Sequence, residues 1–222
     1  MNRVSWDLKY EAPPKVPGTG HWGGLNDGPA AVPGTYQVRL TAAGKTQTAP
    51  LEIKLDPRLT TSQADLEKQF DLAMKIADAY KRDHDAVNQI RDVRNQLKEL
   101  KKRLADDSKA KNVVAAADAL DKKMTPVEEA LIQTKSKSGE DALNFPVRLD
   151  DKLGALAGAV ESADDAPTAP SYEVFRGLSA TLDEQLAAWD NIRSQDLAAL
   201  NEMVRKENIP VVMVSPGEAS GK

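Results

Sequence analysis

The chain has 222 residues, with 30 basic and 34 acidic side chains and a formal net charge of -4. Without a net basic field, nothing favours nucleic acid as a partner. The absence of cysteine excludes disulfides, thiolate zinc sites and cysteine nucleophiles. Two histidines are too few for a histidine metal cluster, so no metal or cofactor is predicted. No apolar run approaches the roughly 20 residues of a membrane helix, and no membrane span is predicted.

The first quarter of the chain is predicted to be β-rich. Apolar and polar residues alternate over residues 4–8, 35–42 and 46–55, which is the period of a half-buried strand. A turn at Ala43-Gly44 makes the last two segments a hairpin. Three strands with one buried face are marginal alone. Residues 1–56 are therefore interpreted as a partial immunoglobulin-like sandwich, which is either incomplete or packed on the rest of the chain.

The composition changes near Asp56-Pro57, and residues 58–208 predict a bundle of long helices. Thr61 or Ser62 is a suitable cap for the first helix. Apolar residues then recur at spacings of three and four over a run of about 45 residues, or roughly 65 Å. A stripe of this length needs partner helices to cover it. The inward positions are predicted to be Leu66, Phe70, Ala73, Ala77, Tyr80, His84, Val87, Ile90, Val93, Leu97, Leu100 and Leu104.

A second apolar stripe follows Asp107-Ser108 and keeps its phase across Pro126. The preserved phase favours one kinked helix over two abutting helices. Residues 137–139, with the sequence Lys-Ser-Gly, predict the end of this helix. Its inward positions are predicted to be Val113, Ala117, Leu120, Met124, Val127, Leu131 and Thr134.

Two further helices are predicted, a short one after residues 144–146 and a long one from about Ser171 to Lys206. Residues 209–222 are interpreted as an extended or disordered tail. The predicted fold class is mainly α, an antiparallel bundle of three to four long helices with a small N-terminal antiparallel β piece. The inward positions are predicted to be Leu149, Leu153, Leu156, Val160, Tyr172, Phe175, Leu178, Leu182, Leu186, Trp189, Ile192, Leu197, Leu200 and Val204.

The helical region offers few candidates for chemistry. His84 lies in the apolar stripe beside Tyr80 and is interpreted as a core histidine rather than an acid, base or pH switch. Pairs of adjacent carboxylates occur at 106–107, 128–129, 150–151 and 164–165. Neighbouring residues on a helix point about 100° apart, so such a pair cannot converge across a sugar as glycosidase carboxylates do. The pairs at 106–107 and 164–165 are assigned to loops or caps, and those at 128–129 and 150–151 to the first turns of helices. No catalytic residue is predicted.

Residues 13–34 are predicted to be a loop dense in proline and glycine, and the part of it around His21 and Trp22 is the one candidate binding site. It is rich in glycine, but it lacks the Lys-Ser/Thr ending and the following helix of a phosphate loop. Trp22 with His21 would instead be able to stack on a sugar ring or contact a peptide. The alternative interpretation is a plain loop between strands.

Several segments resemble a known family. Residues 2–8 and 33–40 resemble strands of immunoglobulin-like domains of the flagellar hook-capping type. Together with the helical segments, they are similar to the C-terminal region of large bacterial sortilin-like, BNR-repeat β-propeller proteins that carry a glycosyl hydrolase label. The helical segments concerned are residues 55–58, 88–91, 128–131, 137–139, 143–149 and 171–175.

The resemblance implies a role as part of a larger protein. In that family a propeller with Asp-box repeats precedes this region, and no Asp box occurs here, because Ser5-Trp6-Asp7 lacks the Gly and Thr that would follow. Any hydrolase activity would then belong to the propeller. The family implies an extracytoplasmic location, although the sequence starts without a signal peptide. The chain is accordingly expected to be a fragment of a longer protein.

The functional expectation is a non-catalytic interaction or scaffolding module that docks on a protein partner or on the body of a larger parent chain. Two alternatives stay open. One is an accessory carbohydrate-binding part of a glycoside hydrolase, acting through His21 and Trp22. The other is a helical module that assembles a homo-oligomer.

Overall fold

A computed structural model describes residues 3–20, 24–105 and 110–207. His21, Trp22 and the predicted tail at 209–222 lie outside the described residues. The structure confirms a mainly α fold with a small N-terminal antiparallel β piece. Its elements are β1 (Gly34–Ala42), β2 (Lys45–Ile53), α1 (Gln63–Arg103), α2 (Lys111–Leu131), a 3₁₀ helix (Gly139–Leu143), α3 (Leu149–Val160), α4 (Ala169–Asn191), a π-helical segment (Ile192–Leu197) and α5 (Ala198–Lys206).

The predicted hairpin is confirmed. Strands β1 and β2 pair in antiparallel register, with Ala42 opposite Lys45 and Gly34 opposite Ile53. The two residues between the strands, Ala43 and Gly44, both have positive φ. Positive φ at both central positions is the geometry of the two-residue turn whose twist matches that of the flanking strands.

The predicted strand at residues 4–8 is wrong. Residues 3–8 lie outside any strand, Val4 is fully solvent-exposed, and the nearest pairing is a single bridge between Lys9 and Ala30. Local hydrogen bonds curl the chain here instead. Asp7 Oδ1 accepts from the Lys9 N–H at 3.0 Å, and Trp6 Nε1 donates to the Lys9 carbonyl at 2.7 Å. Such side-chain bonds to nearby backbone compete with a strand ladder.

Helix α1 is the central element of the bundle, and it contacts α2, α3 and α4. Ser62 caps it, because the side chain accepts from the Asp65 N–H. Since three helices surround α1, its buried face is wider than the predicted stripe and also includes Leu72, Ile76 and Asp83. Phe70 and Ala77 are only half-buried.

Ion pairs and hydrogen bonds between the helices show in which direction each helix runs. Helix α2 is antiparallel to the C-terminal half of α1, because Lys101 pairs with Asp118 and Arg91 with Glu128. Helix α3 continues in the same direction along the N-terminal half of α1, since Gln69 donates to the Val160 carbonyl. We call α2 and α3 together the split leg. Helices α4 and α5 complete the bundle. Helix α4 runs parallel to α1, since Arg82 pairs with Asp183 and Trp189 donates to Gln89.

The two halves of the split leg are separated by an irregular segment. Helix α2 passes without interruption through Pro126, so the prediction of one helix across this proline is confirmed. It ends at Leu131, earlier than the predicted stop at residues 137–139, and Ile132 is extended and fully buried. Gln133 then donates to the Pro146 carbonyl, which ties the two ends of the irregular segment together.

The stretch from α4 through α5 contains one residue more than a regular α-helix would have. Ile192 and Leu197 are both buried although they are five positions apart, a spacing that an α-helix would place on different faces. The π-helical segment between them accommodates the additional residue within a continuous helix. This local widening keeps the apolar side chains on both sides of it directed at the core.

Truncation of Leu182 tests whether the core is assigned to the right residues. Its side chain is completely buried in α4, so Leu182→Ala should lower the free energy of unfolding by about 2–5 kcal/mol. The matched control is Leu143→Ala, because Leu143 is 76% exposed and its truncation should change stability by less than about 0.5 kcal/mol. Urea denaturation followed by circular dichroism measures both. Equal effects would contradict the described core.

Candidate functional site

The candidate site lies where the split leg is divided. Glu128 near the end of α2 pairs with Arg91, and Asp150 at the start of α3 lies beside His84. The division therefore falls alongside residues 84–91 of α1, less than two helical turns from end to end. We call this region the junction. Polar groups from α1, α2, α3 and the N-terminal segment 13–20 meet here.

An N-terminal segment, residues 13–20, runs alongside α1 at the junction, and we call it the strap. Three α1 side chains donate to its carbonyl groups: His84 Nδ1 to Pro14 at 2.6 Å, Asn88 to Lys15 at 3.1 Å and Arg91 to Pro17 at 2.7 Å. The donors are spaced by four and three residues, which places them along one face of the helix. Because the Pro14 carbonyl only accepts, His84 Nδ1 carries a proton.

The strap also contributes one side chain to the hydrophobic core. Val16 is buried and belongs to the same apolar cluster as the residues of α1. Beyond it, Ser136 donates to the Gly20 carbonyl at 2.8 Å, which joins the strap to the irregular segment of the split leg. A side chain at Gly20 would collide with the Ser138 backbone, so this close approach requires glycine.

Beneath the strap is a cluster of buried ionisable groups. Asp83 is 0% and His84 2% exposed, and Asp150 and Asp151 of α3 are buried as well. His84 Nε2 lies 3.9 Å from Asp150 Oδ2, which is an ion-pair distance but too long for a hydrogen bond. The ring of Tyr80 packs on that of His84, with 4.2 Å between centroids. The first turn of α3 favours the negative charges, because the helix dipole is positive there.

Asp83 is the least compensated member of this cluster. Neither of its oxygens has a hydrogen-bond partner among the residues that the structure describes. Burial, and then the negative charge of Asp150, raise the pKa of the Asp83 carboxyl well above its usual value. Burial and the charge of Asp150 also raise the pKa of the Tyr80 phenol. Asp83 therefore retains its proton at pH values where an exposed aspartate is ionised.

Glu128 is the centre of a second charged group at the junction. It is buried and pairs with Arg91 at 2.7 Å and with Arg94, which also binds Asp121 at 2.7 Å. The sequence interpretation placed Glu128 in a first helical turn, which is wrong because α2 begins 17 residues earlier, at Lys111. Since Arg91 holds both Glu128 and the Pro17 carbonyl, this pair links α2 to the strap.

The junction combines several kinds of ionisable group. It brings together a histidine with a defined proton position, a carboxyl group that keeps its proton, and two further carboxylates. The strap and α3 cover these groups, and the side chains of Asp83, His84 and Asp150 are almost fully buried. Within the described ranges, no group of three or more His, Asp or Glu side chains is arranged to hold a metal ion.

The structure unites residues that the sequence analysis considered separately. His84 is a core residue as predicted, and the Asp150-Asp151 pair occupies the first turn of α3 as predicted. Their convergence was not predicted, because it depends on where the split leg is divided. Asp83 was missed, although its place between Tyr80 and Val87 on the apolar face of α1 is a signal for a buried acid. His21 and Trp22 lie outside the described residues, so their proposed binding role stays a prediction.

Comparison with known proteins gives no family for this chain. No protein-family model matches it, and no match was found among curated proteins or solved structures. The similarity to propeller proteins therefore stays an expectation. Among the described residues, the helices are all too short or too polar to cross a membrane.

Comparison of the Asp83→Asn variant with the parent chain should show that the buried Asp83 carboxyl keeps its proton. Between the unfolded-state pKa near 4 and the raised folded-state pKa, the native chain binds more protons than the unfolded chain, so stability falls as the pH rises. The asparagine variant lacks this titration. Its free energy of unfolding relative to the parent chain should therefore increase as the pH rises from about 4 towards the raised folded-state pKa, by up to about 1.4 kcal/mol per pH unit.

Urea denaturation at a series of pH values measures this difference. Asp71→Asn is the matched control, since Asp71 lies on the same helix with its side chain exposed, and it should show no comparable rise. A stability difference for Asp83→Asn that does not change with pH would show that the Asp83 carboxyl titrates normally.

Glu128→Gln should weaken the contact between α1 and α2. The substitution leaves Arg91 and Arg94 facing a neutral amide and should cost about 1–3 kcal/mol in the free energy of unfolding. Glu129→Gln, one residue further along the same helix, is the control because Glu129 is exposed. Thermal and urea unfolding of both variants test this, and a loss of the same size in both would contradict the role of Glu128.

Proposed function

We propose that this chain is a non-catalytic interaction or scaffolding module that docks through its hairpin on a β-rich surface. The observation that carries the proposal is an uncovered apolar face. Val38 and Leu40 are 51% and 62% exposed, and the register places Ala49 beside Val38 on the same face. An exposed apolar surface of this kind is typical of an interaction site.

The hairpin also has little support from the rest of the chain. No described helix packs against either strand, and the described sheet has two strands. Only its base approaches the bundle, where Ile53 lines a small cavity with Leu66 and Phe70. Near that base, Trp6 contacts Tyr36 edge to face. A two-stranded hairpin is marginally stable alone, so further β structure against the apolar face would stabilise it.

The partner that fits is a second sheet with an apolar face. Packing there would complete the sandwich that the immunoglobulin-like resemblance implies. By the same resemblance, the partner is the body of a larger extracytoplasmic bacterial protein in which a β-propeller precedes this module. The helical bundle would then act as a rigid spacer, since α1 alone is 41 residues or about 60 Å long.

Photo-crosslinking in the cells that make the protein tests this proposal. A crosslinking amino acid at Val38 or Leu40 should give one discrete adduct with a β-rich protein or with a propeller region of the same polypeptide. The control position is Arg39, which lies between them on the opposite face of β1 and should give little of that adduct.

Mass spectrometry of the adduct distinguishes the outcomes. Adducts between two copies of this chain alone would favour homo-oligomerisation and contradict docking on a second sheet. An equal yield from all three positions, or none from any, would also contradict it, because the apolar face would then have no specific partner.

A further inference from the structure

Residues 14–17 of the strap contact α1 through main-chain carbonyls, as a peptide contacts a binding groove, and a turn at Pro17-Gly18 follows. All three α1 donors bind main-chain carbonyls, which every peptide possesses, so they recognise an extended backbone and its direction. The one strap side chain that is fully buried is Val16, which enters the apolar core. Lys15 and Pro17, on either side of it, are exposed.

The composition of the strap suits this mode of binding. Pro13, Pro14 and Pro17 surround the anchor. Proline-rich segments favour an extended helix without internal hydrogen bonds, so their carbonyls are free to accept from a groove. Proline also restricts the unbound chain, which reduces the entropy lost on binding. The strap belongs to no helix or strand, so neither kind of ladder holds it in place.

We propose that the junction face of α1 is a binding site for an extended peptide of a partner protein, with a valine between prolines. Residues 14–17 are the intramolecular occupant of this site and compete with the partner. His84, Asn88 and Arg91 bind the peptide carbonyls, and the core space that holds Val16 receives the partner's valine. The inference concerns a different surface from the hairpin, so either proposal is able to fail without the other.

A labelled peptide with the sequence of residues 12–19 is the probe, and the full chain is the receptor. Val16→Asp removes the anchor of the strap, because a carboxylate is strongly disfavoured in the apolar core. Val4→Asp is the matched control at a fully exposed valine. Fluorescence anisotropy should show that the Val16→Asp chain binds the peptide at least about ten-fold more tightly than the parent chain or the Val4→Asp chain, in which the strap competes.

Two further measurements test how the peptide is recognised. The same peptide with the Val16→Asp change should not bind, since it lacks the apolar anchor. Adding Asn88→Ala to the Val16→Asp chain should weaken binding about three-fold or more, because one carbonyl loses its donor. Undiminished binding in both tests would show that the peptide binds elsewhere and would overturn the proposal.

The decisive negative result is a Val16→Asp chain that is helical and melts cooperatively but binds no more tightly than the parent. If that chain does not fold, Val16→Ser opens the site without adding a charge, and failure of both to fold would overturn the proposal by making the strap indispensable. Light scattering identifies the remaining case. A parent-chain dimer that Val16→Asp dissociates would make a second copy the occupant and overturn the assignment to a separate partner.

Discussion

The structure depends on covering the apolar face of α1 along its full length. That face extends from Leu66 to Leu100, and exposing it to water would cost far more than a domain's net stability. No single partner helix runs beside all of it. Helix α2 covers the C-terminal half, α3 covers the N-terminal half, and α4 packs along another side. The strap supplies Val16 where the split leg is divided, so the core remains continuous there.

The break between α2 and α3 places acidic side chains in the interior of the bundle. The first turn of α3 brings Asp150 and Asp151 against α1 at the level of Asp83 and His84, where their side chains are buried. The positive end of α3 compensates part of this charge, whereas Asp83 has no hydrogen-bond partner in the described structure and keeps its proton instead. At the junction, His84, Asn88 and Arg91 bind the strap. Burial of Asp83 beside them lowers the stability of the fold.

The sequence predicted the local features that depend on residue spacing. The Ser62 cap, the inward positions of α3, the turn at Ala43-Gly44 and the continuity through Pro126 are all confirmed, because each follows from a short pattern. Other features depend on distant residues. The strand predicted at residues 4–8 has the right alternation but no neighbouring strand, and its Asp7 and Trp6 side chains bond locally instead. The meeting of His84 with Asp150 joins positions 66 residues apart and requires the end of α2, which the sequence placed too late. The strap was interpreted only as a loop, since its carbonyl acceptors leave no mark in the sequence.

Hydrogen–deuterium exchange of the parent chain and the Val16→Asp chain is the most direct test of the claim that the strap completes the core at the junction. We expect faster exchange in the variant for the backbone amides of α1 between Tyr80 and Arg91 and for the first turn of α3. The amides between Val93 and Leu100, which α2 covers, should keep their protection. An unchanged pattern would show that the strap lies on α1 without contributing to the core. A uniform increase along α1 would show that the variant destabilises the whole bundle and that the junction is not a separate unit.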